Sequence, residues 1–530
     1  MWKFLFKIVL LLLASLVLMA WLRPDASLSS GGVLGVEDSS GWLSANLQDP
    51  SPFDMLEAAN ANLVRVSLPW NEVEPAPDAF VWSYQSEAGF KDFDQLLELL
   101  DKRGIQAVLV LEGGPAYGNH LYPQQPVNSE FLLDRWENYV RAAVSRFGKR
   151  VNHWQIGADI NDSTAWGNVL FPGAPAPQAS PDPQLYGEML RRAHAIIKFA
   201  QPGDNIILGS LALGGECAFS PLAYLHMLED LRVWYAFDTV NIALPVLEAM
   251  PENSAPDTCG MLPLEQTGMP LTDSLRAVDE LIEAAGSKDL WVQGLAFDAD
   301  LLAEQAAQRG ALPQVVESDY LMRASGLLLT YGGADRVFWR YDPNNMLPGA
   351  LALQSFANLN RTLGTASLVS TETAYQGGQE ALHFRSSGKL VILTWRSQQG
   401  DQPQAATLAN LQGYKLQAYS TDADALKAKY GVPLPVDAGG GTALMLSERP
   451  VLIIGQPANL EQAAGMLAQD LLSQAKQRLQ AQFTSWMHAQ KARAADKVGA
   501  WVEEQQKSLL DLLKDSFSQW LRRSLGLAKT

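Results

Sequence analysis

The stretch Phe90–Leu111, FKDFDQLLELLDKRGIQAVLVL, joins an amphipathic segment directly to an apolar one. In the first part, apolar residues recur every three or four positions, which is the spacing of one helix face. Gly104 fits the left-handed residue that closes a helix. Gln106–Leu111 then has the length and the branched apolar composition of a buried strand. A helix followed at once by a buried strand predicts a parallel α/β fold.

The same unit recurs over the first two thirds of the chain. A second helix, FLLDRWENYVRAAVSRFG, ends at Gly148, where we expect another left-handed closing residue. Repeated strand–helix units predict a parallel sheet closed as a (β/α)8 TIM barrel, with the active site at the C-terminal ends of the strands. The eight predicted strands are Val33–Glu37, Leu63–Leu68, Gln106–Leu111, Asn152–Gly157, Ile206–Ser210, Phe237–Ala243, Leu290–Leu295 and Arg336–Tyr341.

The pattern changes after residue 360. Short apolar or alternating runs (ALHFRSS, KLVILTWRS, YKLQAYS, TALMLS, VLIIGQ) predict a small antiparallel β-sandwich. The remainder is rich in Ala, Gln, Leu and Lys at helical spacing, which predicts a C-terminal α-helical tail. We therefore expect a barrel over residues 31–360, a β-sandwich over 361–457 and a helical segment over 458–530. The last tail helix could pack on its own neighbour, on a protein partner or on a membrane surface.

The first 30 residues differ from the rest. Lys3 and Lys7 precede an apolar run from Ile8 to Leu22, which predicts either a signal peptide or a retained membrane anchor. Both alternatives place the rest of the chain outside the cytoplasm, as a secreted or membrane-anchored protein. The only cysteines of the sequence, Cys217 and Cys259, could form one disulfide there or remain two buried thiols.

Composition excludes several classes of function. The chain has 530 residues and a formal net charge of −17, an acidic excess that argues against a nucleic-acid partner. The sequence contains no HExxH motif, no Walker-type loop and no GxGxxG that opens a helix. Neither a metal site nor a cofactor is therefore predicted.

The second predicted strand and its continuation, NLVRVSLPWNEVEPAPDAFVWS, carry the most specific motif. An arginine inside an apolar strand must be paired or face a cleft, which places Arg65 in the barrel pocket. The element resembles the second strand of the clan A glycoside hydrolases, in which such an arginine is followed by Trp, Glu-Pro and an aromatic residue. With its β-sandwich, the chain is similar to the β-xylosidase and α-L-iduronidase type or the cellulase-like members over residues 31–457. The matching residues are Arg65, Trp70, Glu74, Pro75 and Trp82.

The fourth strand of that clan ends in Trp-x-Ile-x-Asn-Glu-Pro-Asn, and here the corresponding stretch is WQIGADIN. The resemblance implies that the Glu protonates the leaving group and that the preceding Asn binds the sugar 2-hydroxyl. Ala158 replaces that Asn and Asp159 replaces the Glu, which makes Asp159 the candidate acid/base. Its side chain is one methylene shorter, and misplacing a catalytic group by ~1 Å can cost on the order of 100-fold in rate.

The seventh strand of the clan presents the nucleophile in an apolar-Trp-x-Thr-Glu pattern. In LWVQGLAFD, Gly294 stands at the nucleophile position, and glycine has no group that can attack a sugar. In the sixth strand, Ala243 and Pro245 replace the His-x-Tyr pair whose hydroxyl would hold the nucleophile. The eighth strand keeps Trp339, for which the resemblance implies a platform beneath the sugar.

These matches predict a glycoside hydrolase-like protein that lacks its nucleophile and acts as a carbohydrate-binding or structural pseudoenzyme. An active hydrolase is the first alternative, with Asp159 paired to a relocated acid: Glu37, Asp38, Glu112, Glu216 or Asp298. The second alternative is an anchored assembly subunit whose terminal helices contact partners. The candidate substrate-binding residues are Arg65, Trp70, Glu112, Trp154, Asn161 and Trp339.

Overall fold

The computed structural model describes most of the barrel and the sandwich. Three sequence predictions lie outside the described residues: the N-terminal segment, the Cys217–Cys259 pair with Glu216, and the helical tail. Within the described part, no helix has both the length and the apolar character needed to cross a membrane. The described residues are 33–38, 41–86, 89–115, 129–170, 181–214, 218–250, 253, 270–286, 288–340, 351–364, 367–370, 379–386, 389–396, 403–420 and 431–459.

Eight parallel strands close into a barrel, as predicted. Strands β1, β2, β5, β6, β7, β9, β10 and β11 pair in that order, and β11 pairs with β1. The strands of this half are β1 (Leu34–Asp38), β2 (Leu63–Pro69), β3 (Ser83–Ser86), β4 (Gly89–Asp92), β5 (Gln106–Glu112), β6 (His153–Ile156), β7 (Asn205–Leu208), β8 (Leu211–Ala212), β9 (Thr239–Ala243), β10 (Asp289–Leu295) and β11 (Arg336–Arg340). Strands β3 and β4 form a separate antiparallel hairpin.

Helices surround the barrel and several begin at side-chain caps. The Asp92, Asp182, Ser220 and Asp298 side chains accept backbone N–H groups of the following first turn, which stabilises the helix starts. The helices are α1 (Trp42–Ala45), α2 (Ser51–Ala58), α3 (Trp70–Val73), α4 (Phe93–Asp101), α5 (Ser129–Phe147), α6 (Ser163–Leu170), α7 (Pro183–Ala200), α8 (Pro221–Asp230), α9 (Leu271–Ala285), α10 (Ala299–Arg309), α11 (Pro313–Thr330) and α12 (Leu351–Leu363).

The two glycines predicted to close helices differ. Gly104 has a φ of 68°, the left-handed conformation expected of it. Gly148 is not among the residues with positive φ, so its predicted role was wrong. Its backbone N–H donates to the Val144 carbonyl at 2.9 Å, and an added Cβ would lie 2.6 Å from that carbonyl oxygen. Close backbone approach therefore explains the glycine at position 148.

The β-sandwich follows the barrel and packs directly on it. Its main sheet has six strands in the order β12, β13, β14, β19, β16, β17, and β15 pairs with β18. The Leu382 and Leu393 side chains lie so close to Gly326 of α11 that an added Cβ would be 2.8 Å from each. The strands are β12 (Ser367–Ser370), β13 (Gln379–Ser386), β14 (Lys389–Arg396), β15 (Gln404–Leu408), β16 (Tyr414–Ser420), β17 (Val432–Leu434), β18 (Thr442–Leu446) and β19 (Val451–Pro457).

Candidate site at the C-terminal ends of the barrel strands

A chain of buried polar side chains crosses the barrel near the C-terminal strand ends. Arg65 Nη1 lies 3.1 Å from Glu37 Oε1, and its Nε donates to Gln155 Oε1 at 2.9 Å. The Asn241 amide donates to Gln155 Oε1 at 3.0 Å and to Gln293 Oε1 at 2.6 Å. All five residues are buried, so each depends on its neighbours to replace water. We call these five residues the polar chain.

Asp159 stands at the edge of the polar chain, directly after β6. The Ser210 hydroxyl donates to Asp159 Oδ1 at 2.8 Å and accepts the Asp159 backbone N–H at 2.8 Å. The residue has a φ of 48°, which is unusual for a residue other than glycine. Burial raises the pKa of Asp159, while Ser210 and the Arg65 charge oppose that rise. Asp159 is therefore held in place by Ser210 and retains its proton more readily than a solvated aspartate.

Glu112 is the last residue of β5, and the charges of Arg65, Glu37 and Asp159 act on its carboxyl group. It accepts a hydrogen bond from the Ser67 hydroxyl of β2. Burial raises the pKa of Glu112, the Arg65 charge lowers it, and the negative charges of Asp159 and Glu37 raise it again. Two partly exposed carboxyls, Glu112 and Asp159, therefore influence each other's ionisation at the barrel mouth.

The end of β10 contains an irregularity at Gly294. Val292 pairs with Val337 but Leu295 pairs with Trp339, so three steps along β10 oppose two along β11. This is the geometry of a β-bulge, and Gly294 has a φ of 82° within it.

The space beside Gly294 is occupied. A Cβ added at this position would lie 2.9 Å from the Arg340 Nη2 atom and 3.0 Å from the Leu244 carbonyl oxygen. At the position where the resemblance implies a nucleophilic carboxylate, the structure therefore has bare backbone next to a guanidinium group.

Two of the proposed relocated acids accept backbone N–H groups from the first turn of a helix. Asp298 accepts the N–H groups of Asp300 and Leu301 at 2.9 and 3.1 Å, at the start of α10. Asp38 accepts those of Trp42 and Leu43 at 2.8 and 3.1 Å, and burial raises its pKa to about 6. Both side chains accept backbone N–H groups, so Glu37 and Glu112 remain as the described members of the proposed set whose charges interact with Asp159.

Trp339 does not lie beneath the barrel mouth. Its ring is buried and stacks on Phe356 of α12, with ring centroids 5.5 Å apart and an interplanar angle of 30°. Side chains alternate along a strand, and the neighbouring Phe338 and Arg340 side chains face the barrel interior. The predicted sugar platform at Trp339 is therefore wrong, because this side chain points to the surrounding helices.

Trp70 and Trp154 are also buried in the layer between strands and helices. Trp70 stacks on Tyr139 of α5 with ring centroids 5.2 Å apart. Trp154 Nε1 donates to Asp204 Oδ2 at 2.9 Å, and its ring has no exposed surface. These contacts correct the prediction that the two rings bind a sugar, since both rings belong to the core.

Asn161 is another predicted substrate contact, but its side chain forms hydrogen bonds with backbone groups of the protein. Its Nδ2 donates to the carbonyls of Ala212 and Phe219 at 3.0 and 2.8 Å, and its Oδ1 accepts the Ala212 N–H at 2.7 Å. The side chain is completely buried. Its hydrogen-bonding groups are used within the protein, so its predicted role in ligand binding is replaced by a structural one.

The structure thus brings Arg65, Glu112 and Asp159 together. Sequence reasoning missed the other polar residues of this region, although a usable signal existed: each lies within or next to a short apolar strand, and buried polar residues are informative. The missed residues are Gln155, Ser210, Asn241, Gln293 and Arg340. Within the described ranges, no group of His, Cys, Asp and Glu side chains could hold a metal ion.

Comparisons with known proteins address the fold. No family model matches the chain. The 6-phospho-beta-glucosidase of Dickeya chrysanthemi is 24% identical over 189 residues, or 34% of this chain, and the match spans only 39% of that relative.

Solved structures are similar over most of the chain. A family 39 glycoside hydrolase from Bacteroides cellulosilyticus WH2 matches with a TM-score of 0.58 and 18% identity, over 80% of this chain and 81% of that one. A GH30 endoxylanase from Clostridium papyrosolvens C71 matches with a TM-score of 0.53 and 11% identity, over 81% of this chain and 96% of that one. The chain therefore has the fold of the clan A glycoside hydrolases, a (β/α)8 barrel followed by a β-sandwich, as its sequence resemblance predicted.

Proposed function

We propose that this protein is a carbohydrate-binding pseudoenzyme with a glycoside hydrolase-like barrel, held outside the cytoplasm by its N-terminal segment. The observation that carries the proposal is the environment of Gly294. A retaining glycosidase needs two carboxyls about 5 to 5.5 Å apart, one of which attacks the sugar. Gly294 has no side chain, and Arg340 fills the adjacent space. Loss of a nucleophile typically costs about 10⁴- to 10⁶-fold in rate.

The polar residues at the same strand ends support binding of a hydroxyl-rich ligand. Glu112 and Asp159 are partly exposed and contribute carboxyl oxygens. In the described part of the chain, nothing donates to the buried Glu37 Oε2 atom. Sugar hydroxyls supply the donors that such oxygens require, and a buried acceptor left unpaired costs about 1 to 3 kcal/mol. The glycoside hydrolases with this fold give the ligand class.

One observation favours residual hydrolysis as a second candidate function. The negative charge of Asp159 raises the proton affinity of Glu112, and burial favours the protonated form of both carboxyls. A protonated Asp159 could donate a proton to a leaving group while an ionised Glu112 activates water. Such an inverting reaction needs the carboxyls about 6.5 to 9.5 Å apart.

A glycan array combined with an aryl-glycoside hydrolysis assay separates the two functions. The wild-type protein is compared with Asp159→Asn, Glu112→Gln and the control Asp54→Asn, an exposed carboxylate on α2. We expect glycan binding by the wild type and no hydrolysis above the buffer rate. Hydrolysis that disappears in Asp159→Asn but persists in Asp54→Asn would replace the pseudoenzyme with the second candidate.

The location is tested separately. We expect a reporter fused after residue 530 to be active only outside the cytoplasm, because the N-terminal segment would export the chain. Loss of membrane association after deletion of residues 1–30, with the barrel still folded, would identify that segment as the anchor. A full-length protein that stays in the cytoplasm would contradict this part of the proposal.

A further inference from the structure

Arg340 is a partly buried arginine whose side chain enters the barrel. Its Nε atom is buried without a hydrogen-bond partner, and none of the described residues forms an ion pair with this side chain. More deeply placed arginines have carboxylate partners: Arg65 Nη1 lies 3.1 Å from Glu37 Oε1, and Arg309 Nη1 lies 3.4 Å from Asp319 Oδ2. The residue as a whole is only partly buried, and a guanidinium whose Nε is buried and unpartnered favours a negatively charged partner from outside the chain.

The position of Arg340 connects this cation to the candidate site. Arg340 is the register partner of Glu37 on the adjacent strand β1. Glu37 uses Oε1 to pair with Arg65. Its Oε2 atom lacks a hydrogen-bond donor in the part of the chain that the structure describes. The Arg340 Nη2 atom extends toward Gly294 at the end of β10. An unpaired cation and an unpaired acceptor thus stand side by side on neighbouring strands.

We propose that the carbohydrate bound by this site carries an anionic group, and that Arg340 binds that group where a glycosidase would present its nucleophile. The inference rests on the proposed carbohydrate-binding function. A guanidinium there would repel the positive, oxocarbenium-like transition state of glycoside cleavage. It would attract a carboxylate, sulfate or phosphate, whose oxygens match the guanidinium fork. Glu37 Oε2 would accept a hydroxyl of the same ligand.

The net charge of the whole chain affects how an anionic ligand approaches Arg340. The formal net charge is −17, so long-range forces repel a polyanion. Recognition of one anionic group by Arg340 therefore depends on close contact inside the site rather than on attraction from a distance. Arg65 cannot take over this role, since it already pairs with Glu37 and Gln155.

The test compares acidic and neutral oligosaccharides of the same backbone. An array with neutral, uronate-bearing, sulfated and phosphorylated glycans selects a ligand and identifies which anionic group binds. Calorimetry then measures that ligand and its uncharged counterpart against the wild type, Arg340→Gln and Arg340→Lys. We expect Arg340→Gln to weaken binding of the acidic glycan by roughly 10- to 100-fold, the range of a charge-assisted hydrogen bond. Binding of any neutral glycan should not change, and Arg340→Lys should retain part of the affinity.

The controls make each outcome decisive. Arg141→Gln removes the same charge from the exposed surface of α5 and should leave all affinities unchanged. Circular dichroism and a thermal melt check that Arg340→Gln folds, which we expect because the side chain forms no ion pair with any described residue. Equal affinity for acidic and neutral glycans, or no effect of Arg340→Gln, would overturn the inference while the carbohydrate-binding function stands. Failure to bind any glycan would overturn both.

Discussion

Gly294 and Arg340 together determine the chemistry at the end of β10. Backbone with a φ of 82° favours glycine, and the nearby guanidinium and carbonyl leave no room for a side chain. A carboxylate at this position would therefore need both a different backbone and a different neighbour. At the scale of single residues, conformation as well as composition keeps a carboxylate from the end of β10.

Gly294→Ala should lower the stability by roughly 1 to 3 kcal/mol, from left-handed strain together with the close contacts at 2.9 and 3.0 Å. Gly310→Ala is the matched control, because Gly310 has a φ of 62° but nothing lies within 4 Å of an added Cβ. It measures the strain alone, about 1 kcal/mol. Urea unfolding of both variants checks this, and equal losses would show that the space beside Gly294 is not constrained.

Asp279 on α9 offers a pH-dependent test. Burial and the neighbouring Glu283 and Glu280 raise its pKa from 3.8 to about 6. The folded protein therefore binds this proton more tightly than the unfolded chain, and the carboxyl lowers the stability as the pH rises through that interval. Asp279→Asn should raise the free energy of unfolding at pH 7 by about 1 to 2 kcal/mol, since solvent screens a half-exposed group.

The gain from Asp279→Asn should vanish below pH 3.8, where both states are protonated. Glu304→Gln, an exposed position on α10, should have little effect at either pH. Denaturant unfolding at pH 7 and near pH 3.5 provides the measurement. A gain that persists at the lower pH would rule out ionisation as its cause.

At the scale of elements, the predicted strands agree with the observed ones within two or three residues. Buried strands leave a strong signal, because apolar runs of this length flanked by glycine and polar residues have few other interpretations. The direction of individual side chains was harder to predict. Trp339 faces the helices because it lies between two inward-facing residues, and a bulge such as that at Gly294 shifts the register without changing the apolar pattern. Arg65 was placed correctly because its burial demanded a partner.

Asn161 shows how one side chain connects several elements. Its amide joins the segment after β6 to Ala212 in β8 and to the Phe219 carbonyl before α8. Asn161→Ala would leave these buried groups unpaired, and we expect a loss of about 3 kcal/mol or more. Asn138→Ala, which removes a hydrogen bond to Asp78 at the surface, should cost less than about 1 kcal/mol. Thermal melts of the two variants provide the measurement. Equal losses of stability would show that the Asn161 hydrogen bonds contribute no more than the one at the surface.

At the scale of the whole molecule, barrel and sandwich share one buried core. Leu382, Leu393 and Trp395 of the sandwich belong to the same buried cluster as the barrel residues. An ion-pair group reinforces the junction: Arg309 at the end of α10 contacts Asp319 of α11 and Glu448 after β18. The sandwich also has a small buried cluster of its own around Ile392 and Ile453, but the core and ion pairs it shares with the barrel couple the two units, and we expect them to unfold in a single transition.

Arg309→Ala should lower the stability by about 3 kcal/mol, because it removes a buried guanidinium that lies against two buried carboxylates, Asp319 and Glu448, while Arg449 stays 3.6 Å from Asp319. The matched control is Arg103→Ala, whose carboxylate partner Asp54 is exposed, so that the loss should stay near 1 kcal/mol or below. Calorimetry checks both losses and the number of transitions. Two separate transitions in the wild type would contradict the shared core.

The bulge at Gly294 also constrains how this sequence can evolve. A Gly294→Glu substitution would attach a carboxylate to strained backbone and place it directly against Arg340. The positive charge of Arg340 would then neutralise the charge of that carboxylate. Restoring a reactive acid would require at least a shift of the strand and a second substitution at position 340. No single substitution at position 294 would therefore present a free carboxylate at the end of this strand.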